Sequence, residues 1–170
     1  MCEFARALIS STPNKDLKSK LNLFGQFVGE WDFDWQWMSG EIIKGEWIFS
    51  WILEGTAIQD VWICPSREER QLKEYPYKEY GTTVRFYNPQ NDEWDVIYGN
   101  PNSVTILKPR QVGETIVLEA QNVSDYKMRW VFSDIKENSF TWQNKRSDDD
   151  GVTWIVQGEM KVTRKYNGIH

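Results

Sequence analysis

The sequence predicts an all-β protein, an antiparallel up-and-down barrel of about ten strands closed at one end by an N-terminal helix. Three observations carry that expectation. After Gly29 the apolar and polar residues alternate with a period of two through most of the chain. The aliphatic residues are mainly β-branched, 13 Ile and 12 Val against 8 Leu, a balance that favours strands. Ten strand-like runs follow one another with short turn clusters and no intervening helix, and parallel strands would need long crossovers, so the pairing should be antiparallel. An open sheet of that width would twist and curl, whereas closure into a barrel removes its edges. At 170 residues the chain is the size of one domain, 1–170. Residues 14–170 should form the barrel and 1–13 a flexible or helical extension.

The elements are justified in order. Thr12-Pro13-Asn14 marks a helix start over the following KDLKSKLNLFGQF, because Thr or Asn can cap and Pro suits a first turn. Leu17, Leu21 and Phe24 then recur at helical spacing. Trp31, Phe33, Trp35 and Trp37 alternate with Asp32, Asp34 and Gln36, the pattern of a half-buried strand with its rings inward. The next strand carries Trp47, Phe49, Trp51 and Leu53 on one face. Further strands are expected over 56–64, 80–87, 93–99, 103–108, 114–121, 127–134, 139–146 and 153–164, most of them separated by Gly, Pro, Asn or Asp. One long connection, Pro65–Glu79, is charged and contains tyrosines. Counting strands up and down from the base places it at the open mouth with 38–41, 99–103, 122–126 and 147–152, as a lid or as a solvated loop.

Two motifs stand out. Gly29-Glu30-Trp31 sits between the helix and the first strand. Near the other end, Trp154, Val156, Gly158, Met160, Val162 and Arg164 share one otherwise apolar parity, which turns them inward and brings Arg164 to the base beside Trp31. A helix followed by Gly-x-Trp, with a terminal basic residue packed on that Trp, resembles the lipocalin-like (calycin) superfamily, and within it small bacterial barrel families. The resemblance covers roughly 15–165 as a pattern and implies a barrel that binds a small molecule, with Gly29, Trp31 and Arg164 in structural roles. The second motif, Ser147-Asp148-Asp149-Asp150-Gly151-Val152-Thr153-Trp154, fits the Asp-box pattern. Ser147 and Asp149 side chains should bond turn amides, Gly151 should supply a left-handed residue, and Thr153 and Trp154 should anchor the next strand. The chain is too short for the propellers in which such boxes recur, so a hairpin clip is expected.

Composition excludes several functions. The net charge is −5 and the 20 Lys and Arg are scattered, which argues against nucleic-acid binding. No apolar run approaches the ~18 residues of a membrane span. Met1–Lys15 holds Glu3 and Arg6 and lacks a signal peptide's apolar core. Cys2 and Cys64 form no disulfide framework, and a cytoplasmic setting is expected. The single histidine is His170, which leaves no basis for His-ligated haem or zinc or for Ser-His-Asp chemistry. With no phosphate-binding loop either, no cofactor is expected. Asp32, Asp34 and Asp148–Asp150 fall on outward faces or in a turn, which makes them solvated surface rather than a metal site.

The aromatic faces carry the functional expectation. Trp35, Trp37, Trp47, Phe49, Trp51, Trp130 and Trp142 share inward parity, and Tyr98 and Asn144 fall near the mouth. These side chains either fill the barrel or line a pocket whose apolar walls carry a few polar groups. The pocket reading gives a binder of a small hydrophobic or aromatic ligand. A cyclase, isomerase or decarboxylase would need an inward ionisable residue, for which Asp60 is the candidate, its parity being ambiguous. A filled structural or homo-oligomeric barrel is the third alternative. On the fifth strand Val84 and Phe86 are taken as inward, which turns Thr83 and Arg85 outward unless a bulge reverses them.

Overall fold

The computed structural model describes residues 1–37 and 39–166, with the side chain of Trp37 excepted. That side chain, one of the expected cavity walls, and His170 lie outside the described residues. The elements in chain order are α1 (Glu3–Leu8), β1 (Ile9–Ser10), α2 (Lys18–Gly25), β2 (Gly29–Trp37), β3 (Ile42–Ile52), β4 (Ala57–Cys64) and α3 (Glu69–Leu72). They continue with β5 (Glu79–Asn88), β6 (Glu93–Asn100), β7 (Ser103–Val112), β8 (Thr115–Ala120), β9 (Lys127–Lys136), β10 (Ser139–Ser147) and β11 (Ile155–Arg164). Strands β2 to β11 form a closed antiparallel barrel in which each pairs with the next and β11 returns to β2, with Arg164 opposite Trp31. The protein is therefore all-β, as its periodicity predicts.

Two features differ from expectation at the N-terminus. Helix α2 starts at Lys18 with no side-chain cap, while Asn14 Oδ1 accepts from the Asp16 amide in the turn before it. Strand β1 adds a short pairing, Ile9 opposite Ile52 and Ser10 opposite Trp51. The β2–β3 register ends at Gly29–Phe49, so the last residues of β3 run on beyond β2, and β1 takes the vacated edge. Two residues are too few to show a period.

The base is filled. Leu21 and Phe24 of α2 are fully buried, and the Phe24 ring meets Trp94 edge-on at 5.0 Å. Below it Phe27, Trp31, Phe132 and Phe140 pack with ring centroids 4.8–5.1 Å apart in the Phe27–Phe140, Trp31–Phe140 and Phe27–Phe132 pairs. Arg164 closes this end. Its guanidinium lies 4.0 Å from the Trp31 ring and donates at 3.0 Å to the carbonyls of Val28, Gln26 and Glu137. Trp31 Nε1 donates to Phe27 O at 2.7 Å. Gly29 has φ +133°, and a Cβ there would meet Arg164 Nη1 at 2.7 Å, so the Gly of the Gly-x-Trp motif answers both a backbone and a space requirement.

Rings of this bulk fit inside because glycines face them across the wall. A Cβ at Gly45 would overlap the Phe33 ring and lie 2.7 Å from Ile63 O, one at Gly81 would overlap the Tyr98 ring, and one at Gly158 would meet the Trp35 ring at 2.5 Å. Each glycine gives up side-chain packing of its own so that a large ring can cross its position. The hairpin before β11 is clipped as the Asp-box pattern predicts. Ser147 Oγ donates to Asp149 Oδ1 at 2.8 Å and accepts from Gly151 N at 2.8 Å. Asp149 accepts from Thr153 N and Oγ1 at 2.8 and 2.5 Å, bonds that hold its carboxyl down at about 2. Trp154 Nε1 donates to Gly151 O at 3.0 Å.

One parity expectation fails on β11. Asn144 pairs with Gly158 but Lys145 with Val156, so Gln157 is an extra residue that shifts the alternation. Val156 is 40% exposed instead of inward.

The glycine–ring fit predicts a contrast. Gly45→Ala should lower stability by about 1–3 kcal/mol because neither the Phe33 ring nor a strand carbonyl can move freely. Gly99→Ala, with nothing within 4 Å of its Cβ, should stay within about 0.5 kcal/mol. Urea denaturation of the two variants checks the difference.

Candidate functional site

Above the packed base the barrel keeps a cavity of ≈ 230 Å³, lined by residues from most of the strands. Five indoles form its walls and floor: Trp35, Trp47, Trp62, Trp130 and Trp142. Alternation puts Trp35 on β2, Trp47 on β3 and Trp142 on β10 with their rings inward, and strand pairing brings them level. Trp142 opposes Met160 on β11, which in turn opposes Trp35. Trp47 faces Trp62 across β3–β4. Successive rings touch around the wall: Tyr98–Trp130 at 5.3 Å, Trp130–Trp142 at 5.4 Å, Trp142–Trp35 at 5.7 Å and Trp35–Trp62 at 5.9 Å. Trp62 Nε1 donates to Met160 Sδ at 3.2 Å.

The mouth is polar. Glu79, the first residue of β5, accepts on Oε1 from the Tyr98 hydroxyl and, at 2.7 Å, from Asn100 Nδ2; its Oε2 accepts from the Tyr77 hydroxyl. Burial and the bond to Glu79 push the Tyr98 and Tyr77 hydroxyls well above the usual phenol range, so both stay protonated donors. Asn144, Gln157 and Thr83 complete the polar lining. Trp142 Nε1 and Asn144 Oδ1 are buried with no hydrogen-bond partner among the described residues.

Of the residues expected to line a pocket, Trp35, Trp47, Tyr98, Trp130, Trp142 and Asn144 do so. Phe49 and Trp51 face inward but lie in the base. Phe49 packs 4.8 Å from Trp47 and 5.9 Å from Phe27. Trp51 lies against α2, where a Cβ on Gly25 would come within 2.9 Å of its Cζ2. Their parity was legible, but their depth depends on where the helix plugs the barrel.

Strand β5 runs opposite to the expected facing. Gly81, Thr83 and Arg85 are buried, and Phe86 is 39% exposed. No bulge is involved: Asp60 pairs with Thr83 and Ile58 with Arg85 in unbroken register. Arg85 turns inward because Asp60 waits there, with Arg85 Nη1 2.7 Å from Asp60 Oδ2 and both side chains at or below 2% exposure. The guanidinium lies between the rings of Phe24 and Phe49, at 5.2 and 5.1 Å, and the Thr83 amide donates to Asp60 Oδ1 at 3.2 Å. Burial pushes the Asp60 carboxyl up, while Arg85 pulls it back. Asp60 is therefore inward but sits beneath the cavity floor, out of a ligand's reach. The carboxylate that does line the cavity is Glu79. The parity reading hides Thr83, whereas Glu79 falls at the end of the expected 65–79 connection, one residue before the expected strand.

The 65–79 connection is tied down rather than free. Arg70 donates to the carbonyls of Pro65, Cys64 and Glu79 at 2.7, 3.0 and 2.6 Å. Arg67 grips Glu46 through Nε and Nη2 at 3.0 and 2.9 Å. These bonds fix Tyr77 and Glu79 at the rim. Burial pushes the neighbouring Cys64 thiol up to about 12, which leaves it unreactive.

A wider groove of ≈ 760 Å³ lies outside the barrel between α2 and the β5–β7 strands. Charged groups around it are already paired, Lys20 with Asp92 at 2.9 Å, Lys108 with Asp95 at 2.6 Å and Arg110 with Glu119 at 3.2 Å. The ring-lined cavity inside the barrel is the better candidate.

Among solved structures, the fold matches that of the S-type phycobiliprotein lyase CPES from Guillardia theta. The match has a TM-score of 0.53 and 10% sequence identity, and covers 91% of this chain and 99% of that one. The shared property is the fold, a closed antiparallel ten-stranded barrel. No protein-family model and no curated protein matches the sequence. Among the described residues no helix is long and apolar enough to cross a membrane.

The Asp60–Arg85 pair should act as structure. Arg85→Met, which strands a buried carboxylate, should cost about 3–5 kcal/mol, while the double change Asp60→Leu with Arg85→Met should recover most of it. A double-mutant cycle in urea measures the coupling.

Proposed function

We propose that the protein binds a small molecule with a flat, largely apolar or aromatic body in the mouth of its barrel. The observation that carries this reading is the ≈ 230 Å³ cavity left open above a base that is otherwise packed with rings. A structural barrel with this stock of aromatics could have filled its interior; here five indoles surround space instead. The volume lies just below the usual range of small-molecule pockets, about 300–1,000 Å³, so the ligand is small. The wall rings meet one another edge-on or tilted, and a planar aromatic body can pack among them in the same ways. Glu79, Tyr98, Asn144 and Gln157 at one end would orient it by hydrogen bonds. Support also comes from the fold, since the CPES lyase shows that such a barrel can serve a protein that acts on another molecule, although fold by itself does not fix function.

The rings are rigid and mutually packed, so binding should cost little ordering of the protein. Cytoplasmic location remains part of the proposal and follows from the reduced cysteines expected of Cys2 and Cys64, which are free thiols here.

Titration with 2-naphthol, an uncharged flat probe, should change tryptophan emission saturably and at one site. Trp130→Ala, which opens one wall, should weaken that binding by about tenfold, equivalent to the ~1.4 kcal/mol of one stacking contact. Trp51→Phe, at the closed end, should leave it unchanged. An emission that falls linearly with probe and never saturates would count against a binding cavity.

A further inference from the structure

Building on the binding reading above, we infer that the cavity selects an organic cation: a protonated amine, or a protonated nitrogen heterocycle, carried on a flat aromatic body. The argument starts from the charge inside the mouth. Among the described residues Glu79 is the one carboxylate lining the cavity, and no lysine or arginine lines it. Its three hydrogen-bond donors, Tyr98, Tyr77 and Asn100, are all neutral. They fix the position of the carboxylate, and among the described residues no cation forms a salt bridge with it: Arg70, the guanidinium that reaches this residue, donates to its backbone carbonyl at 2.6 Å. The buried Arg85 is committed to Asp60, and Arg70 spends its donors on the carbonyls of Pro65, Cys64 and Glu79.

The walls have the same sign. Indole and phenol rings carry negative potential on their faces, and a cation over such a face gains up to ~2 kcal/mol when desolvated. Five indoles and Tyr98 line the cavity, and four ring contacts at 5.3–5.9 Å make a continuous arc from Tyr98 to Trp62. An anion entering this space would meet ring faces and a carboxylate of its own sign. A neutral ligand would leave a half-buried carboxylate without a counter-charge, which is costly. A second group accepts the same donor: Asn144 Oδ1 is a buried acceptor with no partner among the described residues, beside the Trp142 Nε1 donor, which likewise has none and can take an acceptor of the ligand or a water. An N–H-bearing cation can donate to Glu79 and Asn144 while its ring system lies on the tryptophans.

Calorimetric titration of the full chain at pH 7 with two matched series tests this. One series is tryptamine, indole-3-ethanol and indole-3-propionate; the other is phenethylamine, 2-phenylethanol and 3-phenylpropionate. In each series the amine should bind about tenfold or more tighter than the alcohol, and the acid should bind weakest. Glu79→Gln removes the charge and keeps one acceptor oxygen, which can still take the Tyr98 hydroxyl. It should bring the amine to the alcohol's affinity while leaving the alcohol's own affinity within about threefold. Should that variant fail to melt like the parent, the order within each series in the parent protein decides. An alcohol that saturates as tightly as its amine overturns the charge selectivity and leaves the cavity reading standing. Failure of every member of both series to saturate overturns the cavity reading and this inference with it.

Discussion

The buried pair of Asp60 and Arg85 is the constraint around which the interior is arranged. Two charges at 2% exposure or less are tolerable only as a pair in fixed geometry, because either one alone would be a bare buried charge. Satisfying them pins elements from three directions. Arg85 sits between Phe24 of the plug helix and Phe49 of β3, and Asp60 holds the backbone amide of Thr83 on β5. Thr83 is also a floor residue of the cavity. The pair thus marks the level at which packed base gives way to open mouth, and it couples the position of the plug to the shape of the site.

The two ends of the barrel solve opposite problems. At the base, Arg164 spends its donors on three backbone carbonyls and its face on Trp31, so a charged group becomes part of a closed lid. At the mouth, the Glu79 carboxylate is held by neutral donors, while Arg70 spends its own on backbone carbonyls, that of Glu79 among them. The glycines at 45, 81 and 158 make both ends possible. Without a Cβ in the way, Phe33, Tyr98 and Trp35 can lean across the wall. At the base rings interlock; higher up they stand as walls with space between them.

Much of the fold was legible in the sequence because most of the barrel keeps one face apolar. The alternation Trp31, Phe33, Trp35 gave β2 its facing, the turn clusters located the strands, and the parity of β11 brought Arg164 to Trp31 across the closure. Where a strand carries charge inward, the same logic inverts. On β5 the inward residues are Glu79, Gly81, Thr83 and Arg85, and the more apolar Val84 and Phe86 face out, so hydropathy reads the strand backwards. Asp60 on the neighbouring strand was the available clue: an inward acid at a paired register calls for an inward base. On β11 a single extra residue, Gln157, shifted the parity in a way that no local signal announced. Depth was illegible for a different reason. Trp47 and Trp51 share a face on one strand, and only the three-dimensional position of α2 decides that one lines the cavity and the other is sealed beneath it.

The likeness to the lyase, at 10% identity, is one of fold, so the site chemistry of this chain must follow from its own lining. Closure depends on groups that act through backbone and shape: a glycine with room for a guanidinium, an arginine on carbonyls, rings against strand glycines. These demands fall on the base and the wall. The rim residues Tyr77, Glu79, Asn144 and Gln157 come from a loop, a strand start, a strand end and a bulge, places where side chains can change at small cost to the barrel. In such a division of labour the base determines that a cavity exists, and the rim determines what it admits. A carboxylate fixed there by two phenols and an amide, above a wall of electron-rich faces, gives the cavity a definite electrical sign.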